Sequence, residues 1–346
     1  MSAKYGTVLV FPFSTVIDEA NSDVLKAFGA SLARSSWRKH NSGWNCLRKF
    51  ECDMKFSVSW PLSHDNWVKF IVWAVQVRGL APSTVRDYVA SIKLAHSFMG
   101  LAAICPLKDR LVQLFLAGSE NISLTSTAPS NTRRAISPKT LALLGHRIAI
   151  SNWPEGVKQT VWAAFTFGFF SAVRFGEILA DGQARFDATR TLLLKDVLFE
   201  NDRVLVHVKL PKVKKREGDF IDLFEAKTTL CCPVAALKRL RTMQSQGGYT
   251  NPAWPVFCFP SGRLLTTAML NSILQDLTTD FCFKDENKLT CHSFRGGFAT
   301  TLLNGQPEKI KEAKVWGRWS SNSYEKYVGA SVSSKKKIFD SLLDIM

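Results

Sequence analysis

Four groups of residues carry side chains whose types and spacing suit phosphoryl chemistry. In Ala172-Val173-Arg174-Phe175-Gly176-Glu177 an arginine stands three residues before a glutamate, at the end of an apolar stretch from Trp162 to Phe170. On a helix that spacing puts both on one face. A guanidinium in such surroundings needs an anionic partner. Glu177 supplies one, and a bound phosphate would complete the site. Second, Lys209, Lys212, Lys214, Lys215 and Arg216 run up to Gly218, and a lysine on a turn tip can donate a proton to a leaving oxygen. Third, His292 and Arg295 are three apart in Cys291-His292-Ser293-Phe294-Arg295, and both can donate to non-bridging phosphate oxygens. Fourth, Trp319, Tyr324 and Tyr327 close the series. A phenol attacks phosphorus only when cations offset its ordinary pKa of about 10. Taken singly, each group also suits a plainer role: a buried ion pair, a solvated basic tip, a core histidine, a tyrosine on an amphipathic helix.

The elements that must hold these residues show as changes of hydrophobic period. Residues 22–118 read as helical. Within them, Val85, Val89, Ile92 and Ala95 recur at helical spacing after Pro82-Ser83, with Ser83 the expected cap. Arg86 and Lys93 lie seven apart, on a face two turns long that would meet either successive phosphates or water. Residues 119–132 are rich in Ser and Thr, include Pro129 and lack a period, and are expected to be a linker. Ser137-Pro138 opens the next helix. Residues 203–210 and 219–223 flank the lysine-rich turn as a hairpin, with a third strand expected within 191–199. Helical patterns resume at 233–245, 267–279, 292–304 and 307–316. The expected organisation is an N-terminal extension (1–21), a helical domain (22–118), the linker (119–132) and a second domain (133–346) ending in a helix. The fold class is mainly α with a small antiparallel sheet.

In order and spacing, the mid-chain Arg, hairpin Lys, His-x-x-Arg, Trp and Tyr resemble the tyrosine recombinase (phage-integrase) family over essentially the whole chain. His292-Ser293-Phe294-Arg295-Gly296 and Gly317-Arg318-Trp319-Ser320-Ser321 are most similar to its eukaryotic mobile-element branch, the DIRS-like and Crypton-like recombinases. The resemblance implies a SAM-like core-binding domain followed by an α+β catalytic domain. It makes Arg174 the first catalytic arginine, Glu177 its support and Lys212 the hairpin lysine, with Lys214 and Lys215 competing. His292 and Arg295 become the His-x-x-Arg pair. Trp319 takes the His/Trp position, although it lies eight residues before Tyr327 where many relatives have nine, so that Arg318 competes for it. Tyr327 becomes the nucleophile, with Tyr324 competing. Arg86, Lys93, Lys209, Lys214 and Lys215 become DNA contacts.

The activity so implied is site-specific recombination or integration through a covalent 3′-phosphotyrosine, with no metal, ATP or other cofactor. Double-stranded DNA would be clamped by the two domains of a homo-oligomer, a dimer on one site and a tetramer in synapsis. The terminal stripe Ile338, Leu342 and Ile345 would dock on a neighbouring protomer or pack in cis. The competing readings are a domesticated DNA-binding protein without cleavage and a topoisomerase IB-like or hairpin-forming relative.

Composition agrees with a folded DNA partner. Of 346 residues, 46% are hydrophobic, and 24 Phe and 10 Trp exclude a disordered chain. Lys plus Arg number 45 against 29 Asp plus Glu, a net charge of +16, which favours a polyanion. The excess is spread over both expected domains rather than confined to a tail. The eight cysteines show no C-x-x-C pair, which fits buried thiols in a reducing compartment. No apolar run approaches the ~20 residues of a membrane span. An intracellular protein, and a nuclear one if the branch holds, is expected.

Overall fold

The structure, a computed structural model, describes residues 31–32, 34–102, 104–126, 135–183, 186–209, 218–226, 231–279, 289–305 and 307–319. The chain divides into two compact units, Met1–Ser130 and Asn131–Met346.

Among the described residues of the first unit four α-helices share one core: α1 (Arg34–Met54), α2 (His64–Gln76), α3 (Pro82–Phe98) and α4 (Arg110–Ser126). Val85, Val89, Ile92 and Ala95 of α3 are fully buried, as their spacing predicts, against Trp44, Phe50, Trp67 and Phe70. The backbone of α1 approaches α3 closely at Gly43, where an added Cβ would lie 2.6 Å from the Ser91 Cβ. His96 is buried between the Trp60 and Trp67 rings. Its Nε2 accepts the Leu62 N–H at 3.0 Å, and its Nδ1–H donates to the Ile92 carbonyl at 2.9 Å.

Two local expectations change here. α3 starts at Pro82 behind Ala81 with no side-chain cap, and Ser83 is an exposed first-turn residue. Proline already fits the first helical position, where no N–H is needed. The expected linker begins as helix: α4 continues through Ser126, and the units part after Ser130. The Ser119 hydroxyl donates to the Phe115 carbonyl at 2.8 Å. A serine that bonds back one turn no longer competes with the helix, and no proline intervenes before Pro129.

The second unit is built around α6 (Glu155–Phe170), whose Val161, Ala163, Ala164, Phe165 and Phe167 are fully buried. α5 (Pro138–Ile150) is capped as expected by Ser137, whose Oγ accepts the Thr140 N–H at 3.0 Å. Three antiparallel strands follow in the order β1 (Val197–Phe199), β2 (Arg203–Val208), β3 (Asp219–Phe224), with Val204 opposite Leu223 and Val206 opposite Ile221. Val204, Val206, Val208, Ile221 and Leu223 face the core, whereas Leu198, Phe220 and Phe224 are exposed. α7 (Pro233–Gln246), α8 (Thr267–Thr278), α9 (Cys291–Gly305) and α10 (Ile310–Trp316) follow. Among the described residues no helix is long and apolar enough to cross a membrane.

Candidate functional site

The site is assembled where three distant stretches meet: the turn after α6, the first turns of α9, and the chain leaving α10. After Phe170 the helix stops at Ser171, whose hydroxyl donates to the Phe167 carbonyl at 2.6 Å. Ala172 then takes a left-handed conformation (φ +49°), uncommon for a residue with a Cβ. Arg174 precedes a single 3₁₀ turn, Phe175–Glu177. The pair is therefore not on an α-helix as its spacing suggests, yet the tight turn still brings it together. The Arg174 Nη1 donates to Glu177 Oε1 at 3.0 Å. Glu177 is buried, while 24% of the Arg174 side chain remains exposed, so a ligand can reach the guanidinium.

α9 is fixed at its start. Cys291 N–H donates to Asn271 Oδ1 at 2.8 Å, Thr290 N–H to Ser293 Oγ at 2.9 Å, and Ile136 N–H to the Ser293 carbonyl at 3.0 Å. Phe294 packs on Phe165 and Phe175, which links α9 to α6 and to the Arg174 turn. Gly297 sits where an added Cβ would strike the Ile136 carbonyl oxygen. His292 is exposed one turn before Arg295, which is only 2% exposed. The Arg295 Nη1 donates to the Ala172 carbonyl, the strained residue two positions before Arg174. Beside this turn the Cys291 thiol is pushed up to about 12 by burial, so it stays protonated and unreactive.

The third stretch turns back on itself. Trp316 Nε1–H donates to the Phe170 carbonyl at 2.8 Å, which ties the end of α10 to the end of α6. Gly317 lies so close to the Trp319 ring that an added Cβ would overlap it, and Arg318 is left-handed (φ +55°). The Trp319 ring then lies against the Arg295 guanidinium, 4.4 Å from Cζ to centroid, in cation–π contact. Arg318 runs inward: its Nη2 reaches Glu177 Oε2 at 3.3 Å and its Nε lies 3.9 Å from Asp219 Oδ2. Burial pushes Arg318 below the ordinary arginine range and Arg174 adds repulsion, while Glu177 and Asp219 pull it up.

The structure thus joins Arg174, Glu177, Arg295 and Trp319, with His292 on the turn adjoining Arg295. Lys212, Lys214, Lys215, Tyr324 and Tyr327 lie outside the described residues. Lys209, expected on DNA, bonds inward to Asp196 Oδ2 and the Ala188 carbonyl, both at 2.6 Å. Arg86 lies 3.5 Å from Glu120 on an exposed face, and Lys93 is partly buried. Sequence reading missed Asp219, and it weighed Arg318 only as a rival of Trp319. The available signals were an acid three residues past the end of a basic run and an arginine between two tryptophans. In the first unit it also passed over a cavity of about 250 Å³ lined by Ser42, Asn45, Cys46, Lys49, Arg78, Leu80 and Tyr88.

No protein-family model and no curated protein matches the chain. Solved structures do. XerH site-specific recombinase bound to difH substrate, in a pre-cleavage complex, matches with a TM-score of 0.58 and 14% identity over 88% of this chain and 78% of that one. The Tn1549 transposon integrase in complex with transposon right end DNA matches at 0.57 and 15% identity, covering 92% and 98%. A lambda integrase dimer bound to a COC′ core site matches at 0.53 and 12% identity, covering 90% and 94%. The chain has the fold of these DNA-bound recombinases and integrases, mostly helical with a small antiparallel sheet.

Proposed function

We propose that this chain cuts and rejoins double-stranded DNA as a tyrosine recombinase. The observation that carries the reading is the convergence of Arg174 and Arg295, 121 residues apart in sequence, beside the carboxylate of Glu177 and on the Trp319 ring. Arg174, Glu177, Arg295, Arg318 and Asp219 together hold one net positive charge, the complement of one phosphodiester.

In this reading the Tyr327 hydroxyl attacks the scissile phosphorus. A 3′-phosphotyrosyl bond forms, the P–O5′ bond breaks, and Lys212 gives its proton to the departing 5′-oxygen. Arg174, Arg295 and His292 donate to the non-bridging oxygens as charge gathers there. Glu177 orients Arg174, and Trp319 restrains Arg295 from one face. The phenolic proton leaves through His292. A 5′-hydroxyl from another strand then attacks the phosphotyrosine and restores the tyrosine. Two ester exchanges conserve the bond, so ATP has no place in the sequence of steps. Arg86, Lys93, Lys214 and Lys215 serve the DNA backbone, and affinity falls steeply with salt. Lys209 braces the hairpin base. Protomers pair on a site and meet as a tetramer in synapsis. The DIRS-like and Crypton-like affinity, and with it a nuclear location, rests on residues 292–296 and 317–321.

The test is to incubate the full chain with a library of nicked, randomised duplexes, denature, and sequence the DNA ends that stay attached to protein. An attached 3′ end that disappears in Tyr327→Phe and persists in Tyr324→Phe supports the assignment. Trapping by the Tyr327→Phe variant moves the nucleophile elsewhere. Salt-dependent binding without any attached end leaves a DNA-binding protein, and relaxation of supercoiled plasmid without joining of two sites leaves a topoisomerase-like one.

A further inference from the structure

Arg318 is nine-tenths buried, but its hydrogen bonding is unfinished. Nη2 is on Glu177, and Nε stands at ion-pair distance from Asp219. Nη1 and Nε find no hydrogen-bond partner among the described residues. Buried donors are nearly always satisfied, and a charged donor left bare is costly, so such a group calls for an acceptor supplied from outside. The surroundings select an anion. The same Glu177 carboxylate already serves Arg174, whose guanidinium is open to solvent, and Arg295 lies against the residue next to Arg318.

We propose that Arg318 is a third phosphate-binding arginine of this site, giving its Nη1–H to a non-bridging oxygen of the phosphodiester held by Arg174 and Arg295. The contacts to Glu177 and Asp219 fix the plane of the guanidinium before DNA arrives. Asp219 opens β3 immediately after the lysine-rich turn, so the same side chain also ties the phosphate site to the root of that turn. The work on the phosphate is then divided between neighbours: Trp319 steadies Arg295, and Arg318 donates.

This inference rests on the recombinase reading, and its test uses the duplex recovered from the trapping experiment. Arg318→Met should slow formation of the attached product about 100-fold, the usual cost of one lost oxyanion donor. DNA binding should change less than about threefold, because many other phosphate contacts remain. The same duplex with a neutral methylphosphonate at the scissile position separates donation from packing. There the missing guanidinium has less charge to meet, and the penalty should shrink below about tenfold. Arg318→Lys, which keeps the charge and the Glu177 contact, should lose less than Arg318→Met. An Arg318→Met rate within about threefold of the unaltered chain, or an equal penalty on the charged and neutral duplexes, overturns the inference alone. Absence of any attached end from the unaltered chain overturns the recombinase reading and this inference together.

Discussion

His96 in the helical unit and Arg318 in the second unit are both nearly shut off from water, and they are satisfied differently. Each ring nitrogen of His96 has one partner, and none is left over. The residue fastens Leu62 to α3 and has nothing to offer a ligand. Arg318 is held by two carboxylates and still has N–H groups to give. The two are alike in burial and differ in what is left over: the histidine has no unused donor, and the charged guanidinium has two.

Variants can break or sharpen that contrast. The largest effect belongs to Arg174→Ala, which should lower the rate of DNA attachment about 1000-fold and leave the urea unfolding midpoint nearly unchanged. A large loss of stability instead would make Arg174 a fastener like His96. Next is His96→Ala. It strands the Leu62 N–H and opens a gap between two indoles, at a cost of about 3 kcal/mol. Urea unfolding measures the loss, and faster hydrogen exchange of the Leu62 amide locates it, while the attachment rate of fully bound protein stays unchanged. Gly317→Ala comes third. Its Cβ would displace the Trp319 ring, and with the Arg295 guanidinium no longer steadied the attachment rate should fall about 30-fold, with a stability loss of about 1 kcal/mol.

The smallest effect is in pH. Burial, opposed by the bond to Ile92, lowers the His96 pKa, and burial together with Lys39 lowers that of His40. Unfolded chains bind these protons near pH 6.5, and the folded unit binds them only at lower pH. Stability should thus be flat above about pH 6.5 and decline below it as the folded values are approached. Unfolding midpoints at neutral and mildly acidic pH would show this, and the decline should be smaller in His96→Ala.

Much of the architecture was legible because it rests on periodic burial. The α3 stripe, the β2–β3 pair and the Ser137 cap stand where their patterns put them. The misread places are those where a side chain settles the backbone. Residues 119–126 look like linker until Ser119 bonds back to Phe115. Ser83 looks like a cap until Pro82 begins the helix. The chemistry divides the same way. Arg174–Glu177 and His292–Arg295 are local pairs, readable from a spacing of three. The Arg318–Glu177 and Arg318–Asp219 pairs join residues 141 and 99 positions apart, and only the folded chain announces them.

The indole bond from Trp316 to the Phe170 carbonyl has a consequence for positional error. It fixes the chain three residues before Trp319 to the last carbonyl of α6, and Arg295 holds the Ala172 carbonyl two residues beyond that same helix end. The Trp319 ring and the guanidinium it covers are thus both measured from one helix end. A small drift of α6 carries the two together and preserves their 4.4 Å contact.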